Sequence, residues 1–414
     1  MKNSWIRSFA MASVFALVTV PAGAQEALFS PFDSSRLGAA LGLDPSFQAL
    51  SNDPATASLE IVQANAGALT DKAASLSLSL QGLDLQAHRV DSHLTESGML
   101  VWSGVLADPG SATSPKALSF DPINTVMLVK NGDKITGNVH FGGEWYKIRP
   151  LKSGGHAIVN VNFAAMPPDH PEEAKSLPNI KMPAFRQSRS SQDKADTVIR
   201  VLVSYTSSAA SASGDINGLI NLAIAETNQG YTNSGVLIDV VLASSGQVTY
   251  TQSGSFSTDL SRYRGTSDGF MDTIHSTRNS STADVAVLLI NNASSCGLAS
   301  SIGSSASTAF AVAHWDCATG YYSFAHEIGH LQSARHDPAT DGTNSPYAYG
   351  HGYQYNGNPK WRTIMAYACS GGCPRLNYWS NPAKLYNGQP MGTTTRSDNA
   401  RVLNNTRNTV AAFR

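Results

Sequence analysis

His326-Glu327-Ile328-Gly329-His330-Leu331-Gln332-Ser333-Ala334-Arg335-His336-Asp337 gathers three histidines and a glutamate into one short run. In an α-helix, residues four apart sit one above the other, so His326 and His330 present two imidazoles on one face, and zinc suits such a pair. Glu327, next to the first imidazole, can stand beside a metal without binding it and take a proton from water. His336 follows His330 by six residues, which in a continuing helix would carry it about 240° round the axis. The helix must therefore end and the chain turn back. A two-histidine helical pair alone also occurs on ordinary exposed helices; the third histidine is what makes the pattern specific. No glutamate occurs from Leu331 to Arg414, which leaves His336 as the expected third ligand. Glu226 and Glu327 are the only glutamates after residue 195, so no other glutamate in that half readily serves as the base.

The run resembles the extended signature of the metzincin metalloproteases, H-E-x-x-H-x-x-G-x-x-H followed by a methionine turn. Thr363-Ile364-Met365-Ala366-Tyr367 matches that turn, with Met365 lying 29 residues beyond His336. The resemblance implies an α/β (α+β) catalytic domain with a mixed twisted sheet and an active-site helix. It also implies one catalytic zinc on His326, His330 and His336, Glu327 as catalytic base, and Met365 as the floor beneath the histidines. Tyr367 stands where some metzincins carry a tyrosine that approaches the metal; its two readings are an oxyanion donor and a core residue of the turn. An extended peptide substrate would pair with an edge strand near Gly297-Ala299. One departure is Ser333 in place of the usual glycine, at the point where the helix has to break and a left-handed residue is expected.

Asp337 directly after the third histidine, Tyr349-Gly350-His351-Gly352-Tyr353, and Tyr378-Trp379-Ser380-Asn381-Pro382 together resemble the peptidyl-Asp metallopeptidases, which are reprolysin-like. Asn228-Gln229-Gly230-Tyr231-Thr232-Asn233-Ser234 and Asp398-Asn399-Ala400-Arg401-Val402-Leu403-Asn404 fit as well, so the likeness spans about 198 to 414. It implies cleavage on the amino side of aspartate, which calls for a cation in the pocket for the residue after the cut. Arg375, Arg362, Lys384 and Arg396 are the candidates, each weighed against an ordinary solvated side chain. The alternatives are a broad-specificity metzincin with an apolar pocket, and a zinc-containing binding module that has lost catalysis. An intact Glu327 speaks against the latter.

The rest of the chain is consistent with an exported enzyme. Lys2 and Arg7, an apolar run from Phe9 to Val20, and Ala22-Gly23-Ala24 read as a signal peptide over residues 1-24. That run is too short to span a bilayer, which needs about 20 residues. The formal net charge of -1 and the lack of a Lys/Arg stripe argue against nucleic-acid or membrane partners. The four cysteines, Cys296, Cys317, Cys369 and Cys373, allow three pairings. Cys296 with Cys317 and Cys369 with Cys373 is preferred, because the second pair needs only a Ser-Gly-Gly turn.

Residues 25 to about 95 show weak periodicity. Short β-like runs follow, Leu100-Val105, Thr125-Lys130, Ile135-Phe141, Trp145-Ile148 and Ala157-Val161, separated by turn signals such as Asn131-Gly132 and Gly142-Gly143. Between Ala165 and Ala195 the Pro-rich, charged sequence reads as an exposed linker. Beyond it, Val198-Tyr205, Val236-Leu242 and Val285-Ile290 read as strands. Asp215 is placed to cap a helix that uses Ile216, Leu219, Ile220 and Ala223, and Asp268-Arg278 reads as another helix. Residues 25-195 are thus expected to form a small, mainly β propeptide with its linker, ahead of a catalytic domain at 196-414. Asp193 and Asp196 offer an Asp-directed enzyme a self-cleavage site after Gln192 or Ala195. No cysteine precedes Cys296, so a thiol cannot cover the metal. A side chain such as Asp133 or His170 could do so, or the propeptide could act only as a folding chaperone and steric block. The remaining histidines, His88, His93, His140, His156, His275, His314 and His351, are read as surface or packed residues.

Overall fold

The computed structural model describes residues 27-32, 41-107, 120-172, 177-182 and 197-414. The expected signal peptide and the stretch holding Asp193 and Asp196 lie outside the described residues. Among those described, no helix is long and apolar enough to cross a membrane.

Among the described residues, the N-terminal half is built on one antiparallel sheet, accompanied by a short helix, α1 (Pro45–Ser51), and a 3-10 turn at Phe163–Ala165. Its strands are β1 (Phe29–Pro31), β2 (Thr56–Ala64), β3 (Ser75–Leu80), β4 (Leu83–Leu94), β5 (Leu100–Ala107), β6 (Thr125–Asn131), β7 (Lys134–Phe141), β8 (Glu144–Pro150) and β9 (His156–Val161). Their spatial order is β1-β2-β9-β8-β7-β6-β5-β4-β3. The five β-like runs all fall within strands, and Gly132, Gly142 and Gly143 take the positive φ that the hairpin turns require. Residues 25 to 95, which looked featureless, supply β1 to β4. In β3 the signal is plain once paired: Leu76, Leu78 and Leu80 are buried and the intervening serines are not.

The C-terminal half alternates helix and strand. In order come β10 (Thr197–Tyr205), α2 (Ser207–Ala212), α3 (Ile216–Ser234), β11 (Ile238–Gln247), α4 (Phe256–Arg264), α5 (Ile274–Ser280), β12 (Val285–Ile290), β13 (Gly297–Ala299), β14 (Phe310–His314), α6 (Ser323–Leu331) and α7 (Asn399–Val410). The sheet order is β11-β10-β12-β14-β13, parallel except for β13, which pairs antiparallel with β14 at the edge. β12 is buried along its whole length, as a strand covered on both faces should be. This is the mixed α/β arrangement expected. Two local readings differ. Asp215 occupies the α3 N-cap position without capping it, because its carboxylate instead accepts from Asn131 Nδ2 in the N-terminal sheet at 3.0 and 3.1 Å. The helix read at Asp268-Arg278 is the shorter α5, and α4 lies in the Ser/Thr-rich stretch before it.

The two halves share a core. Trp145, Ala157, Val159 and Val161 of the N-terminal sheet pack in the same buried cluster as Leu219, Ile220, Trp315 and Tyr321. A Cβ added at Gly320 would collide with the Trp145 ring, so only glycine permits that approach. Buried polar contacts cross the same boundary. Glu226 accepts from Asn138 Nδ2 at 2.6 Å and from the Gly320 N–H at 2.7 Å, while Lys147 pairs with Asp316.

Candidate metal centre and active-site cleft

Helix α6 carries His326, Glu327 and His330 with every residue buried. It stops where His336 requires it to stop. Ser333 has φ +76°, its N–H donates to the His330 carbonyl at 2.9 Å, and the Ala334 N–H donates to the Gly329 carbonyl at 2.9 Å. These two bonds and the left-handed residue make up a Schellman cap, which satisfies the last helical carbonyls and turns the chain. Serine fills the glycine position with the same backbone geometry. Its hydroxyl is buried without a partner.

The turn brings three imidazoles together. His336 Nε2 lies 3.2 Å from His326 Nε2 and 3.0 Å from His330 Nε2. Each of the first two rings has its other nitrogen engaged, His326 Nδ1 at 3.0 Å from the Ile364 carbonyl and His330 Nδ1 at 2.9 Å from the Ala334 carbonyl. A carbonyl can only accept, so both Nδ1 atoms carry hydrogen and both Nε2 lone pairs face the shared centre. Such nitrogens cannot hydrogen-bond to one another, and their spacing is close to the ~3.3 Å that tetrahedral ligands at about 2.0–2.1 Å would adopt. The donor set fits a metal ion. Burial pushes all three histidines well below their ordinary pKa, which keeps them in the neutral, ligating form.

The surroundings hold these rings in place. A Cβ on Gly329, between the two helical histidines, would press on the Trp379 ring and on Met365 Sδ at 3.1 Å, so Met365 packs directly under the helix. Asp337 ties the methionine turn to the ligand loop, since its Oδ2 accepts from the Tyr367 N–H at 3.0 Å and from Thr340 Oγ1 at 2.9 Å. His351 Nδ1 donates to the His336 carbonyl at 2.8 Å. Asp337 entered the sequence analysis as part of a pattern, and His351 as part of a pattern and as a surface or packed residue; His351 is packed, and the structure gives both positioning contacts that spacing could not reveal. The Tyr367 ring lies beside His336, with centroids 4.5 Å apart. Both disulfides have the preferred pairing, Cys296–Cys317 and Cys369–Cys373.

Glu327 faces the edge strand, where a Cβ on Gly297 would collide with its carboxylate. Burial raises its pKa, an effect opposed by the nearby His170, and Oε2 has no partner. Its Oε1 lies 3.1 Å from Nε2 of His170, a residue of the N-terminal half. The His170 ring sits 4.7 Å from His336 and 5.0 Å from His330, so the potential metal-ligating cluster among the described residues contains four histidines rather than three. Asp133, the other suggested cover, is in the β6–β7 turn and outside this cluster.

The stretch expected to be an exposed linker is therefore buried at Asp169, His170 and Pro171. Cys296 N–H donates to the Pro168 carbonyl at 2.8 Å and Gly297 N–H to the Asp169 carbonyl at 3.0 Å. Further on, Asn179 and Ile302 form a parallel bridge. Unpaired edge N–H groups attract such a chain, and a composition-based reading of Pro and charge does not see them. Of the four cations considered, the structure brings Arg375 and Arg362 to Asp169, the residue next to His170, and both pair with it. Lys384 instead lies by Gly235, and Arg396 bonds Asn344.

Histidines converging beside a buried carboxylate, against the edge strand of a mixed sheet, are the arrangement of a metallopeptidase. A model of the M12 metallopeptidase family, of reprolysin type, matches residues 195–380. A peptidyl-Asp metalloendopeptidase of Xanthomonas campestris pv. campestris is 50% identical over 375 residues, 90% of this chain and 89% of that one. One from Stenotrophomonas maltophilia is 50% identical over 91% of each chain. Another, from Pseudomonas fragi, is 52% identical over its full length and 46% of this chain. The chain belongs to the peptidyl-Asp metalloendopeptidase family and is a metalloendopeptidase.

Proposed function

We propose that this is an exported zinc endopeptidase of metzincin type, made as a latent precursor, that cleaves on the amino side of aspartate. The observation that carries the chemistry is the convergence of three Nε2 atoms with Glu327 one residue beyond the first. His326, His330 and His336 would hold the zinc, which when bound supplies a Lewis acid for the scissile carbonyl and lowers the pKa of water. Glu327 takes the proton of the attacking water and passes it to the departing amine; its partnerless Oε2 is free for that task. Tyr367 flanks the site on the His336 side and is assigned to stabilise the developing oxyanion.

Export is supported by the N-terminal sequence and by two disulfides, which suit an oxidising compartment. Residues 25-195 act as the propeptide and linker, and 196-414 as the catalytic domain. Latency is attributed to His170, whose imidazole meets the base and the ligand cluster together. Self-cleavage before Asp193 or Asp196 would release it. Two buried arginines paired with Asp169, next to His170, favour the aspartate preference over a broad apolar one.

Digestion of a denatured protein by the processed form, with and without a chelator, tests the reading. Cuts before aspartate, lost with chelator and in Glu327→Gln, are expected. No cleavage by the untreated enzyme sinks the endopeptidase reading, and cuts before apolar residues sink the specificity. N-terminal sequencing of the mature form tests self-processing, because a start at Gln187 or Ser190 would point to a trypsin-like activator.

A further inference from the structure

Arg375 and Arg362 are both buried, with 3% and 2% of their surface exposed, and both lie against the Tyr321 ring. Several of their hydrogen bonds stay within the C-terminal half. Arg375 Nη1 donates to the Tyr321 carbonyl at 3.0 Å, Arg362 Nη1 to the Ala366 carbonyl at 2.8 Å, and Arg362 Nη2 to the Tyr321 hydroxyl at 3.0 Å. The guanidiniums are thus positioned by their own half of the chain. The carboxylate between them comes from the other half: Asp169 Oδ1 accepts from Arg375 Nη2 at 2.7 Å, and Oδ2 lies 3.5 Å from Arg362 Nη1. Without Asp169, two adjacent buried cations would stand uncompensated, which is strongly unfavourable. The covered site thus holds its charge balance through an anion set between the two guanidiniums.

The position of this anion fits a substrate's side chain. His170, the next residue, is at the catalytic carboxylate, and the Pro168 and Asp169 carbonyls are held by N–H groups of the edge strand and the residue before it. An extended peptide would be bound through such backbone contacts, its side chains read by pockets. We propose that Asp169 is a built-in surrogate for the substrate's aspartate, filling the pocket in which Arg375, backed by Arg362, reads the acidic residue beside the scissile bond. The proposal rests on the endopeptidase reading above and names the residues that give it its specificity. In this pose the His170 ring lies against Glu327 and the three clustered histidines together, on the ground an attacking water would need.

Two measurements on enzyme purified after processing of the full-length chain test this. The first compares kcat/KM for two peptides identical except for Asp or Asn after the scissile bond. Wild type should favour Asp by at least 100-fold, Arg375→Met should reduce that ratio at least tenfold, and Arg375→Lys should retain part of it, as expected for a charge-assisted hydrogen bond in a buried site. A merely structural role would lower both rates by one factor, and an unchanged ratio overturns the assignment of Arg375. The second needs no turnover and no folded variant. A labelled decapeptide of residues 163-172 is displaced from wild-type enzyme by its unlabelled form and by the Asp169→Asn form, the latter expected to bind at least tenfold more weakly. Equal affinities overturn the surrogate role. If wild type cleaves neither peptide, the endopeptidase reading fails, and the displacement result still decides the pocket.

Discussion

Lys147 is 1% exposed and joins the N-terminal sheet to Asp316 of the C-terminal half, with Asp53, which also neighbours Asp316, at 3.8 Å. Lys147→Met preserves the stem that packs near Trp145 while removing the charge. The variant leaves Asp316, buried and with Oδ1 already lacking a partner, facing a second carboxylate. Breaking a buried pair from one side costs about 3–5 kcal/mol. The lower end is expected here, because Arg149 still acts on Asp316. With a urea dependence of ~3 kcal/mol per M, a loss of about 3 kcal/mol moves the unfolding midpoint down by about 1 M at pH 7. The loss must also depend on pH. Desolvation by burial, together with Asp316, raises Asp53 to about 6 even with Lys147 present. A carboxyl raised in the folded state stabilises at low pH and loses that contribution as pH rises through its folded pKa. Without the ammonium this window moves upward, so at pH 5 one carboxyl is protonated, can donate to the other, and the deficit shrinks. Urea titration followed by tryptophan fluorescence, in a Glu327→Gln background that keeps the chain intact, measures both. A midpoint shift below about 0.3 M at pH 7, or the same shift at pH 5 and pH 7, would refute the argument.

Ser333→Gly should stabilise the chain by about 1 kcal/mol, seen as a higher melting temperature, since it relieves a left-handed serine and deletes an orphan hydroxyl. Asp337→Ala unties the methionine turn from the ligand loop and should weaken metal affinity about 10–100-fold in a chelator competition, with the fold retained. Gly297→Ala should reduce kcat at least ~10²-fold, because its methyl displaces the Glu327 carboxylate and small misplacements are that costly. Glu226, raised by burial to about 7, should make stability fall as pH rises from about 4.5 through 7; Glu226→Gln should remove that slope in melts across the range.

The clustering of His326, His330 and His336 was legible in the sequence because it is local. One helical turn places His326 and His330, and the absence of later glutamates singles out His336. The reading of Ser333 was local too: a helix that must break needs a left-handed residue, and φ +76° follows whether that residue is glycine or serine. Strands between Leu100 and Val161 could be read from turn residues and alternation, whereas β4, with its long polar, exposed stretch, became recognisable only through its partners. Asp215 looked like a cap because spacing cannot show that Asn131, far back in the chain, holds its carboxylate.

Sequence by itself determined that His326 and His330 share one helix face with Glu327 between them, since that spacing is set by helix geometry. Only the tertiary structure decided what lies over these residues. Asp169 and His170 are separated from Arg375 and Glu327 by more than 150 residues, and their meeting depends on how an N-terminal sheet docks through Trp145, Lys147 and Asn138. Long-range packing selects one cation pair and one histidine from many equivalent candidates, and neither composition nor periodicity records that choice.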